Sequence, residues 1–145
     1  MRDLLTLSLI AVAAISNVAT CKDRPDPRMA TVSAVFVAGN NQAAEKARET
    51  LRSAKTCLSL AMNADGADAT LEIAAESQSM GGGFGGFGGR TWIVSGNLTL
   101  KSGDLIWSRS ERFSDDPLRS GGKIAGSLLV RRLADDAGCR QRDPR

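Results

Sequence analysis

Histidine and tyrosine are missing altogether from the 145 residues, and the aromatic set is only four Phe and two Trp. Without histidine the chain has no near-neutral general base of the usual kind and lacks the commonest metal ligand. Ser–His–Asp and Cys–His catalysis are thereby excluded, together with the usual catalytic zinc sites. Carboxylate-only chemistry is what stays open on paper, and the expectation is that the protein is not an enzyme. Cysteine is scarce as well: Cys21, Cys57 and Cys139 are the full set. Two lone thiols without histidine are too few for a metal centre, so no metal or cofactor is expected. Strong net charge is absent too, since +3 is too small to argue for nucleic acid. Basic residues do gather near the C-terminus, at Arg131, Arg132, Arg140, Arg142 and Arg145. They read as a solvated helix face and a tail, with weak attraction to anionic lipid or an acidic partner as the functional alternative.

The one long apolar run lies at the start. Arg2 and Asp3 precede a stretch from Leu4 to Ile15 of almost only apolar and small residues, and small residues follow it. That is the layout of a secretory signal. The run is shorter than the roughly 20 residues a membrane span needs, and nothing later in the chain offers a span. Beyond Cys21 the sequence turns abruptly polar through Lys22, Asp23, Arg24, Pro25, Asp26, Pro27 and Arg28. Val18-Ala19-Thr20-Cys21 resembles the lipobox of bacterial lipoproteins, in which the cysteine is lipidated and the chain is cut just before it. The resemblance implies lipidation at Cys21, although Thr20 stands where Gly, Ala or Ser is usual. Ordinary cleavage after Ser16, giving a secreted soluble protein, is the alternative. The resulting partition is a signal peptide over 1–20, a Pro-rich charged tether over 21–30, one domain over 31–139 and a disordered tail over 140–145. The expected location is the periplasm, lipid-anchored to the outer rather than the inner membrane; otherwise the protein is secreted.

An odd cysteine count in an exported chain needs explaining. If Cys21 carries lipid, Cys57 and Cys139 are left to pair; the alternative is two free thiols. The bridge would close a loop of about 80 residues, for which chain entropy allows about 4.5 kcal/mol at most.

Hydrophobic patterning predicts the elements. Residues 31–38 are β-branched and apolar and read as a buried strand. Residues 41–56 read as a helix, with Ala43, Ala44, Ala47, Leu51 and Ala54 on one face and Asn40 or Asn41 as cap. Residues 57–62 alternate briefly and suggest a short strand, and 63–68 a turn. Strands follow at 69–76, 91–100 and 105–112, the last two joined by a tight turn at Ser102-Gly103. Asp115-Asp116-Pro117 marks the start of a last helix, with Ile124, Leu128, Leu129 and Leu133 as its apolar stripe and an end near Gly138. The order β-α-β-β-β-β-α predicts an α+β fold: one mixed or antiparallel sheet of four to five strands with two helices packed on one face. In that arrangement the first helix ends near Cys57 and the second near Cys139, which favours their pairing.

Between Met80 and Arg90 lies Gly-Gly-Gly-Phe84-Gly-Gly-Phe87-Gly-Gly. It lacks the Gly-Lys-Ser/Thr ending of a phosphate loop and does not precede a helix. It reads as a hairpin tip, and Phe84 and Phe87 are the candidate contacts to a partner groove or a lipid surface. The carboxylate pairs Asp65/Asp68, Asp115/Asp116 and Asp135/Asp136 fall at turns and helix ends, where capping accounts for them. Arg109, Glu111 and Arg112 read as a solvated strand edge.

Over 31–139 the chain resembles small bacterial envelope proteins of the strand–helix–strand–meander–helix type. Ala67-Asp-Ala-Thr-Leu-Glu72, Ser102-Gly-Asp-Leu-Ile-Trp-Ser108 and the final helix ending in cysteine carry the likeness. Periplasmic domains of lipopolysaccharide-assembly, curli-secretion and TolB-like proteins share this architecture. The resemblance implies a non-enzymatic binding or assembly module with an envelope protein partner and no nucleic acid; a soluble small-ligand-binding domain is the alternative.

Overall fold

Alternation along the strands decides which side of the sheet is covered. The computed structural model describes residues 24–53, 56–79, 89–115 and 118–139. They form β1 (Ala34–Ala38), α1 (Gln42–Ser53), β2 (Ser59–Leu60), β3 (Ala69–Ser79), β4 (Arg90–Leu100), β5 (Leu105–Ser114) and α2 (Gly121–Asp136). The sheet order is β2-β1-β3-β4-β5. β1 runs parallel to both β2 and β3, and β3, β4 and β5 form an antiparallel meander, so the expected α+β fold has a mixed five-stranded sheet. In register, Val35 and Val37 stand beside Ala69 and Leu71, then Leu98 and Trp107. All are buried and share one core with residues of both helices, Leu129 and Leu133 among them. Each fully buried Leu or Val side chain contributes about 1.5–3 kcal/mol.

The two helices touch through small residues. Ala43, Ala44 and Ala47 are fully buried on α1, and Gly122, Ala125 and Gly126 on α2. A Cβ on Gly126 would overlap the Ala43 carbonyl oxygen, so this contact admits glycine alone. The close approach sets α2's rotation. Leu129 and Leu133 turn fully inward with Val130 and Ala134, whereas Ile124 and Leu128, expected in the apolar stripe, are left half-buried on the outer side.

Local chemistry sets the ends of α1. Asn41 Oδ1 accepts from the Ala44 N–H at 2.9 Å, the expected cap, and Asn41 Nδ2 donates to the Ile73 carbonyl, tying the helix start to β3. α2 begins later than the Asp-Asp-Pro signal suggests. The Asp115 carboxylate accepts from the Gly121 N–H at 2.8 Å across the loop, so the cap comes from six residues upstream and the helix starts at Gly121. At the other end Gly138 adopts φ +81° and the Cys139 N–H reaches the Ala134 carbonyl, the Schellman closure of a helix. That reversal carries Cys139 back to Cys57, and the two form a disulfide with a Cα–Cα distance of 5.3 Å across 82 residues.

The N-terminal part departs from expectation. Residues 27–31, assigned above to tether and first strand, form a 3₁₀ helix: Asp26 caps it, Pro27 opens it, and Met29 beneath it is 1% exposed. Arg28 reaches from this turn to Asp104 between β4 and β5 at 3.1 Å. The domain therefore begins several residues earlier than the hydrophobic pattern indicates, and the strand later, at Ala34. β3 extends to Ser79 and β5 to Ser114, beyond their expected ends.

Candidate functional site

Three of the six carboxylates singled out in the sequence, Asp68, Asp115 and Asp136, hold parts of the fold together. Asp68 Oδ2 accepts from the Ala34 N–H, the Ser33 N–H and the Ser33 hydroxyl at 2.8–2.9 Å. The Ala34 amide, with both Ser33 donors, holds its carboxyl below the usual range. Asp115 Oδ1 accepts from the Trp92 indole N–H at 2.7 Å besides capping α2. Asp136 accepts from the Trp107 indole N–H at 2.8 Å and pairs with Arg109 at 3.2 Å. Asp65 and Asp135 are exposed, and Asp116 lies outside the described residues. Cys21, Phe84 and Phe87 lie outside them as well, as do residues 1–20 and 140–145. Among the described residues no group of three or more Cys, Asp or Glu side chains is arranged to hold a metal ion, and no helix is long and apolar enough to cross a membrane.

The solvated edge expected at Arg109, Glu111 and Arg112 divides in two. Arg109 lies opposite Gly96 and Glu111 opposite Val94, so both point to the helix side. There Arg109 meets Asp136 and Glu111 meets Arg132. Arg112, opposite Ile93, stands on the other face and is exposed. The sheet's two edges also differ. β2 is two residues long, and beyond it the Arg48 guanidinium donates to the Val37 and Gly39 carbonyls, occupying the rest of the β1 edge. β5 presents a ten-residue edge, beginning at Leu105, which is 57% exposed.

Among the described residues, two surfaces stand out for recognition. The first is a groove of about 650 Å³ on the outer side of the helices, whose walls include Phe113, Leu118, Leu128, Lys46, Lys123 and Arg131. A neighbouring groove of about 410 Å³ shares Lys46, Ser127 and Arg131 with it and extends to Cys139. Apolar floor and cationic rim together suit an anionic, partly apolar ligand. The sequence signal for this groove was the apolar stripe of α2, which proved too wide to be buried in full.

The second surface is the sheet face that the helices do not cover. Its rows follow from the register: Phe36, Thr70, Thr99 and Leu105; then Ala38, Glu72, Asn97 and Ser108; then Ala74, Ser95 and Ser110; then Glu76, Ile93 and Arg112. Most of these side chains are small or uncharged, and the Ser108 hydroxyl donates to Asn97 Oδ1 at 2.7 Å. The result is a surface of mixed polarity whose side chains are mostly uncharged.

This arrangement has counterparts among solved structures. The PelC dodecamer of Paraburkholderia phytofirmans superposes with a TM-score of 0.51 at 20% identity, over 75% of this chain and 89% of PelC. A single-substitution variant of the same dodecamer gives 0.50 at 18% identity, over 72% of this chain and 87% of the other. A minor lipoprotein of Acinetobacter baumannii reaches 0.42 at 11% identity, over 73% and 94%. The likeness to PelC shows the fold. No family model matches the sequence, and no curated protein matches it.

Proposed function

We propose that this chain is an exported cell-envelope lipoprotein, anchored through Cys21 on the periplasmic side of the outer membrane, and that it works as a non-enzymatic assembly module. The observation that carries the reading is the uncovered sheet face. Five strands receive helices on one side only, and the other side, among the described residues, presents a mixed surface of mostly uncharged side chains. Surfaces of this kind suit protein contact better than chemistry on a small substrate. The leader ahead of Cys21 supports export. The PelC structures of the same fold are dodecamers, which supports assembly from copies of the chain. The disulfide agrees with an oxidising compartment.

Two measurements test this. Mass spectrometry of the mature protein from cells is expected to find an N-terminal, acylated Cys21. Native mass spectrometry of the same preparation is expected to find a defined multimer or a complex with an envelope protein. A strictly monomeric species that crosslinks to nothing in intact cells would sink the assembly reading.

The outer groove favours a second reading, a soluble periplasmic domain that binds a small anionic ligand. An unacylated terminus upstream of Cys21, with thermal stabilisation by anionic amphiphiles lost in Arg131→Glu, would select it.

A further inference from the structure

We infer that the β5 edge docks a second copy of this chain, the two edges joining antiparallel about a two-fold axis at Ser110 into one continuous sheet. The inference rests on the assembly reading and adds to it a contact and a register.

The edge is open for pairing. The Asp115 N–H bonds the Arg90 carbonyl, and β4 and β5 keep one register from Thr91 and Ser114 to Leu98 and Trp107. Backbone groups of an antiparallel strand alternate between its two sides. Phe113, Glu111, Arg109 and Trp107 therefore bond β4, and the N–H and C=O groups of Ser108, Ser110 and Arg112 point away from the sheet. No other backbone hydrogen bond reaches these groups among the described residues. The strand carries no proline, and its register shift, at Leu98/Thr99, lies near its start. Such an edge is a template for another strand. A groove of about 620 Å³, walled by Arg24, Pro25 and Asp26, meets every residue from Leu105 to Ser110. Successive side chains of a strand point to opposite faces, so a groove that meets them all follows the edge itself.

The charge pattern selects a second copy as the occupant. Outward-directed groups must meet outward-directed groups, so a slip of one residue breaks the ladder. With Ser110 opposite its own counterpart, Arg109 faces Glu111 of the second copy, Trp107 faces its Phe113, and Arg112 faces its Ser108, each twice by symmetry. A slip of two residues either way sets Arg109 against Arg109 or Glu111 against Glu111, like charges directly opposite. Within each chain Asp136 already lies 3.2 Å from Arg109, and Arg132 lies 4.0 Å from Glu111. The joined edges then read Asp136, Arg109, Glu111, Arg132 across the seam, with the sign alternating at every step. Arg109 and Glu111 keep 46% and 25% of their side-chain surface exposed for that contact. Arg24 and Asp26, of opposite sign, add no net charge to the groove.

The test uses the mature protein purified from cells. Ser110 and Ser108 are both exposed. In Ser110→Cys the two new thiols stand on residues about 5.5 Å apart at Cα, within disulfide reach. In Ser108→Cys they are offset by about 13 Å along the strands. Mild oxidation is expected to give at least about tenfold more covalent dimer from the first, mapped by mass spectrometry to a 110–110 peptide pair. Arg109→Glu and Glu111→Arg each set like charges across the seam. Each alone is expected to weaken self-association at least about tenfold in sedimentation equilibrium. Mixing the two folded variants makes the mixed pair complementary again and is expected to recover association, which lost contacts to Asp136 or Arg132 within one chain would not do. Ser110→Cys remains the readout if either charge variant is unfolded.

Equal crosslinking at 108 and 110, or a mixture of folded variants no more associated than its parts, overturns the edge pairing alone when native mass spectrometry still finds a multimer or a complex. A crosslink from position 110 only to a different protein overturns the choice of occupant. A strictly monomeric protein that crosslinks to nothing overturns the assembly reading and the pairing together.

Discussion

The two faces of the sheet are built by different rules. On the helix side, Val35, Val37, Leu71 and Leu98 share one core with residues of both helices, and α1 meets α2 through alanine and glycine at backbone contact. Every substitution there trades against close packing. The uncovered face carries Thr70, Ala74, Ser95, Ser110 and similar residues in register, where the fold demands little beyond strand formation. The contrast teaches that stability is concentrated on one side, and that the other side is available to be shaped by a partner.

The sharpest way to break this contrast is Gly126→Leu. The side chain would drive into the Ala43 carbonyl and separate the helices. We expect a loss of about 3 kcal/mol, at the top of the range for overpacking, visible as a lowered midpoint in urea unfolding. Removing the disulfide by the double substitution Cys57→Ala and Cys139→Ala comes next, at about 2–4 kcal/mol in the same assay. Asp115→Ala deprives both the Trp92 indole and the Gly121 N–H of their acceptor and should cost about 1–2 kcal/mol, with near-ultraviolet circular dichroism reporting the change around Trp92.

Asp68 gives a pH signature. Its carboxyl is held below the ordinary value of 3.8 in the folded protein, so the ionised form is favoured by folding. The stabilisation is fully present above that value and is lost as pH falls through the lower folded-state value. Asp68→Asn should therefore lower the melting temperature at pH 7, and the gap from the unsubstituted protein should close in strongly acidic buffer. A gap that is constant with pH would show that the charge of Asp68 is not what Ser33 and Ala34 bind. The smallest effect on stability is expected on the open face. Ala74→Arg should change unfolding by less than about 0.5 kcal/mol while dispersing the proposed multimer in native mass spectrometry. Loss of stability without loss of assembly would reverse the roles assigned to the two faces.

Much of the architecture was legible because the signals are local. The helical spacing from Ala43 to Leu51, the Asn41 cap, the alternation from Ala69 to Ile73 and the Ser102-Gly103 turn each lie within a few residues, and each predicted its element. So did the glycine that ends α2 just before Cys139. The errors share a different origin. α2 starts at Gly121 because Asp115 caps it from across a loop, which overrides the Asp-Asp-Pro signal. Ile124 and Leu128 face outward because contact at Gly126 fixes the rotation of the helix. Arg109 and Glu111, which look like edge residues, are engaged by Asp136 and Arg132 of α2. The candidate surfaces were correspondingly harder to read, since both are assembled from residues distant in sequence.

By itself the sequence determined most of the strands and helices, their order and the glycine end of α2 beside Cys139. Propensity, capping and periodicity act over a handful of neighbours, and so they survive in a one-dimensional record. Only the tertiary structure decided that β1 lies inside the sheet between β2 and β3, that residues 27–31 seal one end, and that one face stays bare. Those choices depend on which distant apolar surfaces bury one another best, and that competition is settled only when the whole chain packs.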